Sequence, residues 1–193
     1  MANHFYAMLS RMKYIERWAL MRNSQSENIS EHSLEVAILS HALAVLGKVR
    51  LGKDLDEKKA VMIAMYHDAT EIITGDMPTP IKYYSDDIKE AFKKVEDEAA
   101  KRLLHMLPED MRGYYEELFF PTEADAYLCK LVKAADKLSA LIKCLEEKKA
   151  GNTEFNSAER TLRQAVIDMN LEEANLFMGE FLESYNKTLD ELS

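Results

Sequence analysis

The chain has 193 residues, 47% of them apolar, and a net charge of −9 from 25 Lys+Arg against 34 Asp+Glu. That length suits one domain, able to bury roughly 70% of its unfolded surface without disulfides or a structural metal. The acidic balance excludes a duplex nucleic-acid binder, which needs a basic face, but a local metal or arginine can still draw a small anion into a cleft.

Gly and Pro are few (six and four), and Ala, Leu, Met, Glu and Lys dominate. These are good helix formers, and no stretch alternates like a strand, so an all-α bundle is predicted. A first helix is expected over residues 3–14, with Phe5, Met8, Leu9 and Met12 at helical spacing. Arg17 and Trp18 follow in a turn or short helix, and residues 21–28 read as polar and irregular. A long helix starts at Asn28 or Ser30, either of which can cap it, and runs to about Gly47. Its expected inward stripe is Leu34, Ala37, Ile38, His41, Ala42 and Val45. A helix over residues 56–74 ends at Gly75. Residues 76–80 must form a loop, because Pro78 and Pro80 fix the backbone and constrain their predecessors. Helix resumes over residues 86–106, stops at Pro108, and a short piece reaches about Phe120. Pro121 opens a long helix over residues 123–150, which Gly151-Asn152 closes, and one or two helices finish the chain. No repeat or linker divides residues 1–193, which read as a single domain.

No apolar run approaches the ~20 residues of a membrane span. The first five residues have neither the basic nor the apolar region of a signal peptide. Cys129 and Cys144 make no disulfide framework, so a reduced, cytoplasmic setting is expected.

His67 and Asp68 stand together inside an apolar stretch, with Glu71 three and four residues on. Polar groups in such a setting need partners or cost several kcal/mol. On one helix turn, His67 and Asp68 can lean on a common ion while Glu71 serves as acid or base. Further ligands would come from His32, at the head of the next amphipathic helix, and from Asp136, a carboxylate among small and apolar residues in mid-helix. Two imidazoles and two carboxylates suit Mn, Co, Fe or Zn better than Mg or Ca. The plainer readings are that His32 belongs to a cap, that Asp136 pairs with Lys133 or Lys137, and that His41 is a packed core histidine. The Lys/Glu runs near residues 89–101 read as a solvated helix face, and the Met and aromatic residues as core.

The order His32, His67-Asp68, Asp136 resembles the HD-domain metal phosphohydrolases. The blocks RWALMR at Arg17, ENISEHSL at Glu27, AMYHDATE at Ala64, TGDMPTPIKY at Thr74, and KCLEE at Lys143 followed by AGN at Ala150, are similar to the bacterial HD-domain 5′-deoxynucleotidases. The resemblance implies a compact helical HD bundle and one divalent transition ion per subunit, such as Co or Mn, on His32, His67, Asp68 and Asp136. It implies a cytoplasmic homodimer, acting on 2′-deoxyribonucleoside 5′-monophosphates rather than on a nucleic acid polymer or a membrane. Substrate contacts would come from Arg17, Trp18, Asp76, Met77, Pro78 and Thr79, with His32, Asp68 and Asp136 also at the substrate. Catalysis would rest on Glu71, Asp68 and Arg17. The dimer surface is expected at Phe119-Phe120, Leu176-Phe177-Met178 and Phe181-Leu182. Rival readings are an HD enzyme for a triphosphate or cyclic nucleotide, and a helical interaction module with a structural metal.

Overall fold

The computed structural model describes residues 3–82 and 84–193; Tyr83, the last residue of the TGDMPTPIKY block, lies outside them, as do Met1 and Ala2. Among the described residues the regular structure is helical, apart from one isolated antiparallel bridge, Glu16 with Asn28. The helices are α1 (Phe5–Leu9), α2 (Ile29–Leu51), α3 (Glu57–Tyr66), α4 (Glu71–Thr74), α5 (Thr79–Lys82), α6 (Asp86–Leu104), α7 (Glu109–Phe119), α8 (Ala126–Lys149), α9 (Asn156–Asp168) and α10 (Glu172–Glu180). Short 3₁₀ turns follow α1, precede α8 and close the chain.

The frame is α2, α3 and α8, which pack on one another, with α9 on α8 and α10 across α2. Leu131, Leu138, Leu141 and Ile142 recur at helical spacing along α8 and are essentially fully buried. Each contributes roughly 1.5–3 kcal/mol of burial, which makes α8 a rigid support for whatever it carries. A second cluster, Phe5, Ala69, Leu103, Leu104 and Leu107, ties α1 and α6 to the turn after α3.

Four expectations need correction. The stripe chosen for α2 is rotated: Leu34, Ile38, His41 and Val45 are exposed, and His41 is no core residue. The buried face is instead Ile29, His32, Ser33, Val36, Ser40, Leu43 and Gly47, where polar and small residues hide among apolar ones. The helix also runs past Gly47 to a left-handed Gly52, because Gly47 sits where a side chain would collide with Leu55 and Glu173. Residues 56–74 are two helices, since the chain breaks into a turn at residues 67–70. Finally, Pro80 lies in the first turn of α5, where a missing N–H costs nothing, so only residues 76–78 are loop.

The expected dimer surface is largely engaged with the two cores. Phe177 and Leu182 are buried, while Leu176 and Met178 on the main core and Phe119 and Phe120 on the smaller one are only half-buried, and Phe181 is exposed.

Candidate active site and metal centre

His32 enters from the first turn of α2, which Asn28 caps: its side chain accepts from the N–H groups of Ser30 and Glu31, and Glu31 returns a bond to the Asn28 N–H. His67 and Asp68 occupy the turn between α3 and α4, and Asp136 comes from the middle of α8. The break after α3 is what aims both His67 and Asp68 at α2 and α8.

Donor atoms of His32, His67 and Asp68 lie within 4.8 Å of one another. His32 Nε2 is 3.4 Å from both Asp68 Oδ2 and Asp136 Oδ1, and His67 Nε2 is 3.2 Å from Asp68 Oδ2. Ligands about 2.0–2.1 Å from a tetrahedral ion stand about 3.3 Å apart, so the spacing of His32, His67 and Asp68 fits a common cation, whereas Asp136 approaches only His32 of them and lies outside that close group of three. The other ring nitrogens agree. Ser139 Oγ donates to Glu35 Oε2 at 2.6 Å, so its oxygen receives the His32 Nδ1–H at 3.0 Å. His67 Nδ1 donates to the Ala64 carbonyl at 2.6 Å. Each ring thus turns a bare Nε2 inward, and both Nε2 atoms are buried without a hydrogen-bond partner. Two lone pairs facing two carboxylates call for positive charge.

The ionisation pattern shows the same demand for positive charge, which a proton on His32 Nε2 can also meet. Burial would lower the His32 pKa, but Asp136 and Asp68 outweigh it and push it up to about 9. Burial would raise Asp68, yet His67 and His32 hold it well below the usual carboxylate range. Asp136 is lowered too, against burial, by His32 and by Lys133 3.0 Å away. Asp136 therefore has both partners considered for it, the lysine on one oxygen and the cluster on the other.

Glu71 is buried at the start of α4, with Oε2 unpaired. Burial first, then the charges of Asp68 and Asp76, push its pKa up to about 9, so it holds a proton at neutral pH. Burial likewise raises Asp76.

Beside the cluster lies a cavity of about 630 Å³. Arg17, Trp18, Asp76, Met77, Pro78, Thr79 and Asp136 all line it, together with Lys137 from α8 and Ser157 and Thr161 from α9. A smaller cavity of about 340 Å³, lined by His67, Asp68, Lys82 and Cys129, meets it only at Lys133 and Asp136.

Arg17 and Trp18 sit on a loop pinched shut by the Glu16–Asn28 bridge, with Arg17 N–H donating to the Glu27 carbonyl at 2.9 Å. The far side of the loop is fastened to α8. Ser24 and Gln25 N–H groups donate to the buried Glu147 carboxylate, Lys143 donates to the Gln25 carbonyl, and Asn152 donates to the Arg22 carbonyl. Trp18 takes φ 60°, a conformation uncommon for a bulky residue.

Four contributors escaped the sequence reading: Glu35 and Ser139 behind His32, Glu27 behind Arg17 and Trp18, and the α9 face. Glu27 lies inside a motif block, but nothing in the spacing gives it a role.

A family model described as 5′-deoxynucleotidase YfbR-like matches residues 4–185. The 5′-deoxynucleotidase of Vibrio cholerae is 46% identical over 191 residues, 99% of this chain and 98% of its own. That of Erwinia tasmaniensis is 44% identical, covering 99% and 96%. Among solved structures, an HD-domain phosphohydrolase from Listeria innocua aligns with a TM-score of 0.82 at 21% identity, covering 96% of this chain and 90% of that one. The cyanophage S-2L HD phosphohydrolase bound to dA and one catalytic Zn²⁺ ion aligns with a TM-score of 0.65 at 20% identity, covering 94% and 96%. At these identities the structures show the shared fold.

Proposed function

The chain belongs to the YfbR-like 5′-deoxynucleotidase family, and on that premise we propose how its residues divide the work. It is a metal-dependent phosphohydrolase that converts 2′-deoxyribonucleoside 5′-monophosphates to deoxynucleoside and phosphate. The observation that carries the site assignment is the pair of orphaned Nε2 atoms of His32 and His67 facing Asp68 and Asp136 beside the Arg17 cavity.

His32, His67, Asp68 and Asp136 hold one divalent ion, for which Co or Mn suits the mixed donor set. Such an ion, when bound, supplies Lewis acidity toward a phosphoryl oxygen and lowers the pKa of water. Arg17 grips the phosphate through charge-assisted hydrogen bonds and turns the phosphorus for in-line attack. Asp68 orients the attacking water. Glu71, protonated in its buried niche, gives its proton to the departing 5′-oxygen. Trp18 and residues 76–79 flank the sugar. A 2′-hydroxyl pressed on the indole, or buried without a partner, costs ~1–3 kcal/mol, roughly 5- to 150-fold in kcat/KM.

A homodimer and a cytoplasmic setting belong to the same reading. The free thiols Cys129 and Cys144 suit a reducing compartment, and no helix among the described residues is long and apolar enough to cross a membrane. An exposed apolar row on α2 supports self-association.

Phosphate release over deoxyribo- and ribonucleoside monophosphates, triphosphates and cyclic nucleotides, with Mn or Co, tests the assignment. The expected result is fastest release from deoxymonophosphates. Preference for a triphosphate or cyclic nucleotide would overturn it, and so would equal rates on the two sugars.

A further inference from the structure

Glu27 stands behind Arg17 and Trp18, and a single oxygen of it holds both. Oε2 accepts from Arg17 Nε at 3.1 Å and from Trp18 Nε1 at 2.8 Å, with the carboxylate and the guanidinium each only 12% exposed. We propose that Glu27 is a positioning residue that couples the phosphate grip to the sugar gauge, a role that rests on the nucleotidase reading above.

The guanidinium is contested. Arg17 Nη1 lies 3.6 Å from Asp68 Oδ2, and the charges of Asp136 and Asp76 act on it as well. Released from Glu27, it would swing onto these carboxylates and cover the phosphate's place. Held through Nε, it keeps its two Nη groups for a bidentate grip. The indole has the opposite difficulty, since its backbone at φ 60° belongs to a region that bulky side chains rarely occupy. Its ring is fixed from one side by Phe155, centroids 5.3 Å apart, and from the other by the Glu27 bond. The main chain of Glu27 is itself pinned, because its carbonyl accepts the Arg17 N–H in the bridge that closes the loop. Phosphate grip and sugar gauge therefore move together, through one atom.

The two arms separate by substitution. In Glu27→Gln the amide oxygen can still accept from the indole, but the charge that restrains Arg17 is gone. KM for deoxymonophosphates should rise about 10- to 100-fold, the span of a charge-assisted hydrogen bond, while the deoxy-to-ribo ratio holds. In Glu27→Ala both bonds go, so KM rises and the ratio falls toward that of Trp18→Ala. Adding Trp18→Ala to Glu27→Ala should then leave the ratio where it was, a coupling that independent sites would not give. Because Trp18 is the only tryptophan, its fluorescence reads the arm directly: emission should shift in Glu27→Ala and stay in Glu27→Gln, with metal content unchanged in both. Additive effects on the ratio, or a lower Tm with KM, ratio and emission all at wild-type values, would overturn the proposal. If the wild-type chain itself hydrolyses no deoxymonophosphate, the nucleotidase reading fails along with it, a result visible before any variant is made.

Discussion

Removing His67 or Asp68 takes one of four donors from the cluster and should empty it. His67→Ala and Asp68→Ala are expected to lose metal and activity together in the purified protein, and full occupancy with full turnover in either would exclude them as ligands. Ser139→Ala should act more gently. It leaves His32 in place but strips the acceptor that fixes its ring, so metal affinity should fall about 10- to 100-fold in chelator competition. Glu71→Ala should keep its metal and bind nucleotide yet turn over ~10²–10⁴-fold more slowly; a metal-free variant would make Glu71 a ligand instead. Of the proposed donors, His67, Asp68 and Asp136 stand out in the sequence as polar groups among apolar or small residues, while His32 stands out only through the order His, His-Asp, Asp. Ser139 and Glu35 do not stand out. A serine among leucines and a glutamate on a charged helix look ordinary until the crossing of α2 and α8 brings them beside His32.

Helix α8 carries more than Asp136. Its Lys143–Glu147 pair, almost wholly buried, receives the loop that bears Arg17 and Trp18. Burial alone would raise Glu147, but Lys143, Asn152 and Ser24 overcome it and hold the pKa at about 2. A carboxylate depressed on folding stabilises the native state above its unfolded pKa, near 4.5, and that contribution is lost as pH falls toward 2. Glu147→Gln should therefore destabilise by roughly 2–4 kcal/mol at pH 7, part of it the cost of a buried, unpaired Lys143. Thermal melts at pH 7 and pH 3 check this: the gap from wild type should narrow at the lower pH, and an equal gap at both would remove the linkage. At this scale the sequence named the helices well but misjudged how they turn. For α2, large apolar side chains marked the wrong face, because the inner face is filled by Ser33, Ser40 and Gly47 so that neighbours can approach closely. For His67-Asp68, the apolar period ran unbroken through a turn that backbone propensity alone does not reveal.

Across the whole molecule, the helix-rich composition was enough for the class of fold, whereas the outer surface was not legible. The apolar segments late in the chain turned out to fill the cores, and the exposed apolar row is instead on α2, where Leu34, Ile38 and Val49 are 62%, 61% and 73% exposed. Such a row, costly in water, should be covered in a homodimer. Light scattering at micromolar concentration is expected to give the dimer mass for the wild type and the monomer mass for Ile38→Glu, with helicity retained. A wild-type monomer would refute the assembly, and a dimeric Ile38→Glu would move the interface off α2.

The four residues proposed to hold the ion, His32, His67, Asp68 and Asp136, sit on α2, on the α3–α4 turn and on α8, the parts that also hold the core together. The proposed sugar and phosphate contacts, Trp18 and Arg17 with residues 76–79, sit mainly on loop segments hung from that frame. Segments of that kind accept insertion and exchange far more readily than packed helices do. A change at the proposed metal site would therefore disturb the core as well, whereas the proposed substrate contacts can change with less cost to the fold. New nucleotide preferences should be reachable by grafting residues 17–27 from distant HD proteins, as long as the contacts of Glu147 and the pairing of Glu16 with Asn28 survive the transplant.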